Sequence, residues 1–139
     1  MNRGGFILLF ISLFLADCAF CQDVNQMPTM EEIAEGKSLA KNAEYFSLGL
    51  ENKYNENYDV AAEYFEKALE AFPEDHASMY ELSVLYMSKG LQEKGFEMIK
   101  KAVELDSTNK WYKIRLADFH KFNNEYESFI AIYDKLLED

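Results

Sequence analysis

From Asn42 to the end of the chain, apolar residues recur at three- and four-residue intervals, the period of a helix with one buried face. Polar or glycine-containing breaks interrupt this pattern at Asn55-Glu56-Asn57, Lys89-Gly90 and Asn123-Asn124-Glu125. The pattern predicts helices over about 43–54, 59–71, 77–88, 93–104, 111–122 and 126–138. Pro73 closes the second of them, because its ring removes a donor from the helical ladder. With only 2 Pro and 6 Gly there is little turn chemistry for a fold of many short hairpins, so the fold class is all-α.

Upstream, Gln22 to Pro28 is polar, and Thr29 and Glu32 then have capping-box spacing at a helix start. Ile33, Leu39 and Ala40 give residues 22–41 a weak apolar face. This stretch is either a separate lead-in helix or the front of a longer one.

Residues 1–21 differ from the rest. Arg3 precedes a run from Phe6 to Leu15 that is too short to cross a hydrocarbon core of roughly 30 Å. The run reads as a secretory signal peptide, with Ala19 and Cys21 as the small residues of a cut after Cys21. Leu15-Ala16-Asp17-Cys18 offers a competing lipoprotein reading in which Cys18 is acylated, although Asp17 is wrong for the position before that cysteine. An N-terminal core helix is the third reading, but the apolar residues form no helical face. Export places the protein in the periplasm or outside the cell. A cut after Cys21 leaves a chain without cysteine, and so without disulfides or thiolate chemistry.

From Asn42 the sequence repeats. Aligning Asn42–Asp75 (repeat 1), His76–Asn109 (repeat 2) and Lys110–Asp139 (repeat 3, incomplete) gives a period of about 34 residues without gaps. Tyr45, Leu48-Gly49, Ala61, Phe65, Ala68 and Pro73 fall in the same columns as Met79, Leu82-Ser83, Gly95, Ile99, Ala102 and Ser107. The third copy offers Lys113, Leu116-Ala117, Phe129, Tyr133 and Leu136. Small residues at Gly49 and Ala61, or at Ser83 and Gly95, let antiparallel helices approach, and Phe65 or Ile99 fills the neighbouring groove.

These columns resemble the tetratricopeptide repeat family over residues 42–139. The chain departs from the family pattern at Asn52, where Tyr is usual, at Gly95 in place of Ala, and at Phe129, a large side chain at a small-residue position. The resemblance implies a right-handed superhelical solenoid of about three helical hairpins. Phe129, Ile130, Ile132, Tyr133, Leu136 and Leu137 would leave an apolar end face, because no polar capping helix follows. A chain cut short of further repeats is the preferred account, and self-association through that face is the alternative.

The resemblance also implies a concave groove lined by the first helix of each hairpin. Carried over by column, repeat 1 supplies Ala43, Phe46, Leu50, Lys53 and Tyr54. Repeat 2 supplies Ala77, Tyr80, Val84, Met87 and Ser88. Repeat 3 supplies Trp111, Ile114, Asp118, Lys121 and Phe122. Family members that grip a C-terminal carboxylate use Lys, Asn and Arg at such columns, and Phe46 and Leu50 occupy two of them here. An aromatic and apolar groove suits a partner peptide or protein with apolar side chains, anchored on Tyr and Trp. The groove could equally be filled by residues 22–41 or by later repeats.

Charge narrows the partners. The chain carries 14 Lys plus Arg against 25 Asp plus Glu, a net −11 that losing Arg3 and Asp17 together would leave unchanged. Such a surface repels nucleic acid and anionic lipid and favours basic partners, so membrane association would depend on an acylated Cys18. A hydrophobic content of 49% excludes a disordered acidic tail.

No catalytic constellation, metal motif or cofactor loop emerges. His76 and His120 lack metal-ligand spacing and read as surface or groove-edge residues. Gly36, Gly49, Gly90 and Gly95 stand alone rather than in a phosphate loop. The carboxylates, Glu63, Glu66, Glu70 and Glu74-Asp75 among them, read as solvated helix faces, and Asn52 to Asp59 lacks the glycine of a calcium loop. The expected function is a non-catalytic interaction scaffold. The alternatives are a lipid-anchored assembly factor of the cell envelope, or the targeting arm of a longer enzyme.

Overall fold

The structure, a computed structural model, describes residues 28–138. Among them lie six helices and no strand: α1 (Met30–Tyr54), α2 (Tyr58–Ala71), α3 (His76–Ser88), α4 (Gln92–Leu105), α5 (Lys110–Phe122) and α6 (Tyr126–Glu138). Each predicted helix is present. The signal segment and the polar stretch through Met27 lie outside the described residues. The hairpins belong to the compact unit Glu35–Asp139.

Of the two readings of residues 22–41, the structure takes the longer one for its described part: α1 runs for 25 residues. It opens on the expected capping box: the Thr29 amide donates to Glu32 Oε2 (2.6 Å), and the Glu32 amide donates to Thr29 Oγ1 (3.2 Å). The helix then continues through Lys41, so the lead-in is the front of a longer helix. Two polar residues explain what this extension does. The Ser38 hydroxyl donates to the Ala71 carbonyl, and Asn42 Nδ2 donates to the Ala68 carbonyl (3.1 Å) and to the Asp75 carboxylate (2.8 Å). The Ala71 carbonyl at the end of α2 is thereby satisfied from α1, and the Ala68 carbonyl, which already accepts from the Phe72 amide at 2.8 Å, gains a second donor.

The joint within each hairpin has one geometry. Glu56, Gly90 and Asn124 occupy the same repeat column and all adopt left-handed backbone, with φ of 63°, 76° and 62°. In each joint the following amide bonds back five residues: Asn57 to the Asn52 carbonyl (2.9 Å), Leu91 to Tyr86 (2.8 Å) and Glu125 to His120 (2.8 Å). This is the Schellman termination, in which a left-handed residue lets two amides fold back onto the final turn. Glycine suits that conformation because it has no Cβ to clash, and Asn tolerates it; Glu56 is the strained member.

The connection between hairpins is capped from the other side. The Asp75 carboxylate accepts from the amides of Ala77 (3.1 Å) and Ser78 (3.2 Å), and Asn109 Oδ1 accepts from the Trp111 amide (3.1 Å). These caps start α3 and α5 one repeat apart.

Two buried clusters hold the stack. Ala61, Ala62, Phe65, Leu82 and Leu85 form one, and Met79, Ile99, Ala102, Tyr112 and Phe119 the other. Phe65 lies over Gly49, where an added Cβ would come within 2.6 Å of the ring. Gly95 stands in the same relation to Phe119 (2.8 Å) and also faces the Ser83 carbonyl oxygen (3.0 Å). The small residues therefore serve helix approach, as expected, with Phe119 as the ring seated on Gly95. Full burial of such a ring stabilises by roughly 1.5–3 kcal/mol. At the far end α6 buries no residue, and Phe129 stacks within that helix on Tyr133, ring centroids 4.8 Å apart.

Candidate functional site

The predicted groove residues lie on α1, α3 and α5, and none of them is fully buried. They differ in how far they are committed to packing. Phe46 sits against Phe65, ring centroids 5.6 Å apart, and borders the first core cluster. Tyr80 and Met87 border the second. Val84 and Ile114 are half-buried. Leu50 is exposed, and Tyr54, Trp111 and Phe122 are the freest aromatics of the set, at 87%, 61% and 54% exposure.

The polar members of the set are partnered. Lys53 Nζ on α1 pairs with Glu81 Oε2 on α3 at 2.5 Å, tying the first hairpin to the second. Asp118 Oδ2 accepts from Arg115 at 3.4 Å, and Lys121 Nζ lies 5.7 Å from the centre of the Phe129 ring. Beside Trp111, Lys110 Nζ is 5.5 Å from the indole centre. Ala77 is half-buried, and Ala43 and Ser88 are exposed.

Residues 35–41 continue α1 and so cannot fold back over the face that this helix presents. The alternative in which the lead-in fills the groove therefore fails for them, and the Ser38 hydroxyl bonds to the end of α2 instead.

The structure also brings together a trio that the sequence reading did not anticipate. His76 Nδ1 is 2.9 Å from the Tyr112 hydroxyl, and the Tyr112 ring stacks on Tyr80 with centroids 5.2 Å apart. Burial, followed by the charges of Asp106 and Asp75, pushes the Tyr112 hydroxyl above its usual pKa. Tyr112 thus fixes the orientation of Tyr80. The relationship spans one repeat, and only the alignment of His76 with the first column and Tyr112 with the third could have hinted at it.

Neither histidine is fully exposed. His76 is half-buried in that trio, and His120 Nδ1 lies 2.6 Å from Glu125 Oε2 with its ring edge-on to Phe96 at 5.5 Å. One carboxylate departs from the solvated-face reading, since Asp75 is a half-buried cap, whereas Glu66 stays exposed and accepts from the Tyr86 hydroxyl at 2.6 Å. Among the described residues no group of three or more His, Cys, Asp or Glu could hold a metal ion. Among the described residues, no helix is long and apolar enough to cross a membrane.

With this geometry in place, the sequence of residues 45–75 and 76–109 matches the profile of the tetratricopeptide repeat family. These two hairpins are tetratricopeptide repeats. The fold of the third has the same joints, and the described chain is an all-α tetratricopeptide-repeat fold. A search of curated proteins finds no matching sequence.

Solved structures agree on the fold. A crystal structure of MamA superposes with a TM-score of 0.66 at 17% identity, covering 70% of this chain and 57% of that one. The chain thus spans little more than half the length of the MamA protein it matches. The second tetratricopeptide domain of Spaghetti (RPAP3), bound to the HSP90 peptide SRMEEVD, has a TM-score of 0.69 at 13% identity and covers 75% and 95%. The TPR2B domain of yeast Sti1 in complex with pHsp70 has a TM-score of 0.64 at 20% identity and covers 68% and 76%.

Proposed function

We propose that this protein is an interaction scaffold that binds a segment of a partner protein along the face formed by α1, α3 and α5. The observation that carries this reading is the placement of Trp111, which is 61% exposed, one repeat away from a Tyr80 held in place by Tyr112. A packed Tyr80 and an accessible Trp111 give a ligand large aromatic contact area, at little cost in side-chain entropy for the tyrosine. The occurrence of peptide-bound domains among proteins of the same fold supports a peptide ligand.

The ligand differs from an acidic C-terminus such as SRMEEVD. Phe46 and Leu50 occupy positions where a carboxylate grip uses Lys, Asn or Arg, and Lys53 is already paired with Glu81. The net charge of −11 adds repulsion. An apolar segment, neutral or basic, fits better.

The site of action in this proposal is the periplasm or the extracellular space, because residues 1–21 have the composition of an export signal. The lipobox-like Leu15-Ala16-Asp17-Cys18 supports a second version, anchored through Cys18. Mass spectrometry of the processed N-terminus separates them: a chain starting at Gln22 removes the anchor. Capture of partners from the source cells by the full chain tests the groove. Tyr80→Ala combined with Trp111→Ala should abolish capture while helical circular dichroism persists, and unchanged capture overturns the reading.

A further inference from the structure

At 3.6 residues per turn, Leu82 and Tyr86 project from the side of α3 opposite Tyr80, Val84 and Met87. There they meet α2 and α4 in a continuous depression with two lobes. One, of about 420 Å³, is lined by Glu66, Leu69, Glu70, Leu82, Tyr86 and Met98. The other, of about 380 Å³, is lined by Glu93, Lys94 and Glu97 together with the same Tyr86 and Met98. The floor is apolar: Leu82 is buried, and Leu69, Tyr86 and Met98 are half-buried. The rim carries four exposed glutamates against a single lysine.

We propose that this depression is a second docking surface, one that takes an arginine-bearing amphipathic segment of a partner protein. Its charge pattern selects that occupant. A guanidinium reaches carboxylates with several donors at once, while its methylene stem lies along apolar surface. Met98 and Leu69 offer that surface between the glutamates. The Tyr86 ring already attracts a cation from the chain itself, since Lys94 Nζ lies 5.9 Å from its centre. The Tyr86 hydroxyl holds Glu66 at 2.6 Å, so one acceptor is oriented before any ligand arrives. An anionic peptide or lipid headgroup would meet four like charges.

The test uses the full chain carrying ¹³C-methyl methionine, with the Met98 resonance assigned from Met98→Leu. The probe is a capped heptapeptide of alternating leucine and arginine, and its control has glutamate for arginine. The Met98 signal should shift saturably with the arginine peptide alone. Glu66→Gln with Glu70→Gln should weaken binding about five- to tenfold, as should Glu93→Gln with Glu97→Gln, with helical circular dichroism unchanged. Tyr80→Ala with Trp111→Ala should leave the affinity as it was, which separates this surface from the groove. A Met98 signal that does not saturate, an equal response to the glutamate peptide, or full affinity in both glutamine variants overturns the proposal. So does binding that vanishes with Tyr80 and Trp111.

Discussion

Gly95 and Phe119 stand one helix apart with no room for a methyl group between them: a Cβ at Gly95 would come within 2.8 Å of the ring and 3.0 Å of the Ser83 carbonyl oxygen. The ring is fully buried and the carbonyl is backbone, so neither can yield easily. Gly95→Ala should therefore destabilise the protein by about 1–3 kcal/mol, despite alanine's better helix propensity. Gly36 is the control, because nothing lies within 4 Å of the position its Cβ would take. Gly36→Ala should stabilise by roughly 0.5–1 kcal/mol. Urea unfolding of the two variants decides the matter, and midpoints moving in the same direction would refute the packing argument.

The hairpin joints give a second pair. Glu56 has φ of 63° where Gly90, in the equivalent place, has 76°. Glu56→Gly should raise stability by about 0.5–1 kcal/mol by relieving left-handed strain, and Gly90→Ala should lower it by about 1 kcal/mol. If thermal unfolding shows no difference between these substitutions, the joints are not strained as described.

Asp75 accepts hydrogen bonds from Asn42, from two amides of α3 and from the Ser78 hydroxyl. Asp75→Ala removes a helix cap and leaves Asn42 without one of its two acceptors. A loss of about 1–2 kcal/mol is expected. Asn42→Ala on the same background should cost less than Asn42→Ala alone, because the two residues share a bond. Strict additivity in that double-mutant cycle would remove the link between α1 and α3.

The Tyr86 hydroxyl is pushed up to about 12 from an ordinary 10.0, by burial first and then by its hydrogen bond to Glu66. A raised value means that the folded state holds the proton more tightly than the unfolded state does. This contribution to stability is complete below pH 10 and disappears as the pH rises toward 12. In a spectrophotometric titration the last tyrosine to ionise before unfolding should be absent from Tyr86→Phe. An unaltered curve would contradict the assignment.

Trp111 is the only tryptophan, so intrinsic fluorescence reports on the groove directly. Its emission should have the solvent-exposed maximum in the free protein and shift to shorter wavelength when a ligand covers it. Binding with no change in emission would place the ligand elsewhere.

The helices and their repeat were legible because the polar joints recur with the hydrophobic pattern, and local hydrogen bonding at each joint needs no distant partner. The choice between a separate lead-in helix and a longer α1 was not, because Ser38 and Asn42 look like ordinary polar residues until the end of α2 is brought against them. Phe119 escaped notice for a related reason. Its column holds Glu51 in the first repeat and Leu85 in the second, so the repeat pattern carries no aromatic there. Its burial arises only when Gly95 of the preceding hairpin faces it. The groove residues were named from the family pattern, and the structure places them on accessible helix faces. Their division into packed members, such as Phe46, and free ones, such as Trp111, depends on contacts between repeats that no single repeat encodes.

The recurrence of one joint geometry at Glu56, Gly90 and Asn124 has a bearing on how such a chain can vary. Every bond that closes a joint spans five residues or fewer, so a whole hairpin could be inserted or deleted as a cassette without redesigning its turn. What must be rematched is the interlocking of small residue and ring between neighbours. Duplication of a segment one period long preserves that match, whereas a cut at any other length destroys it.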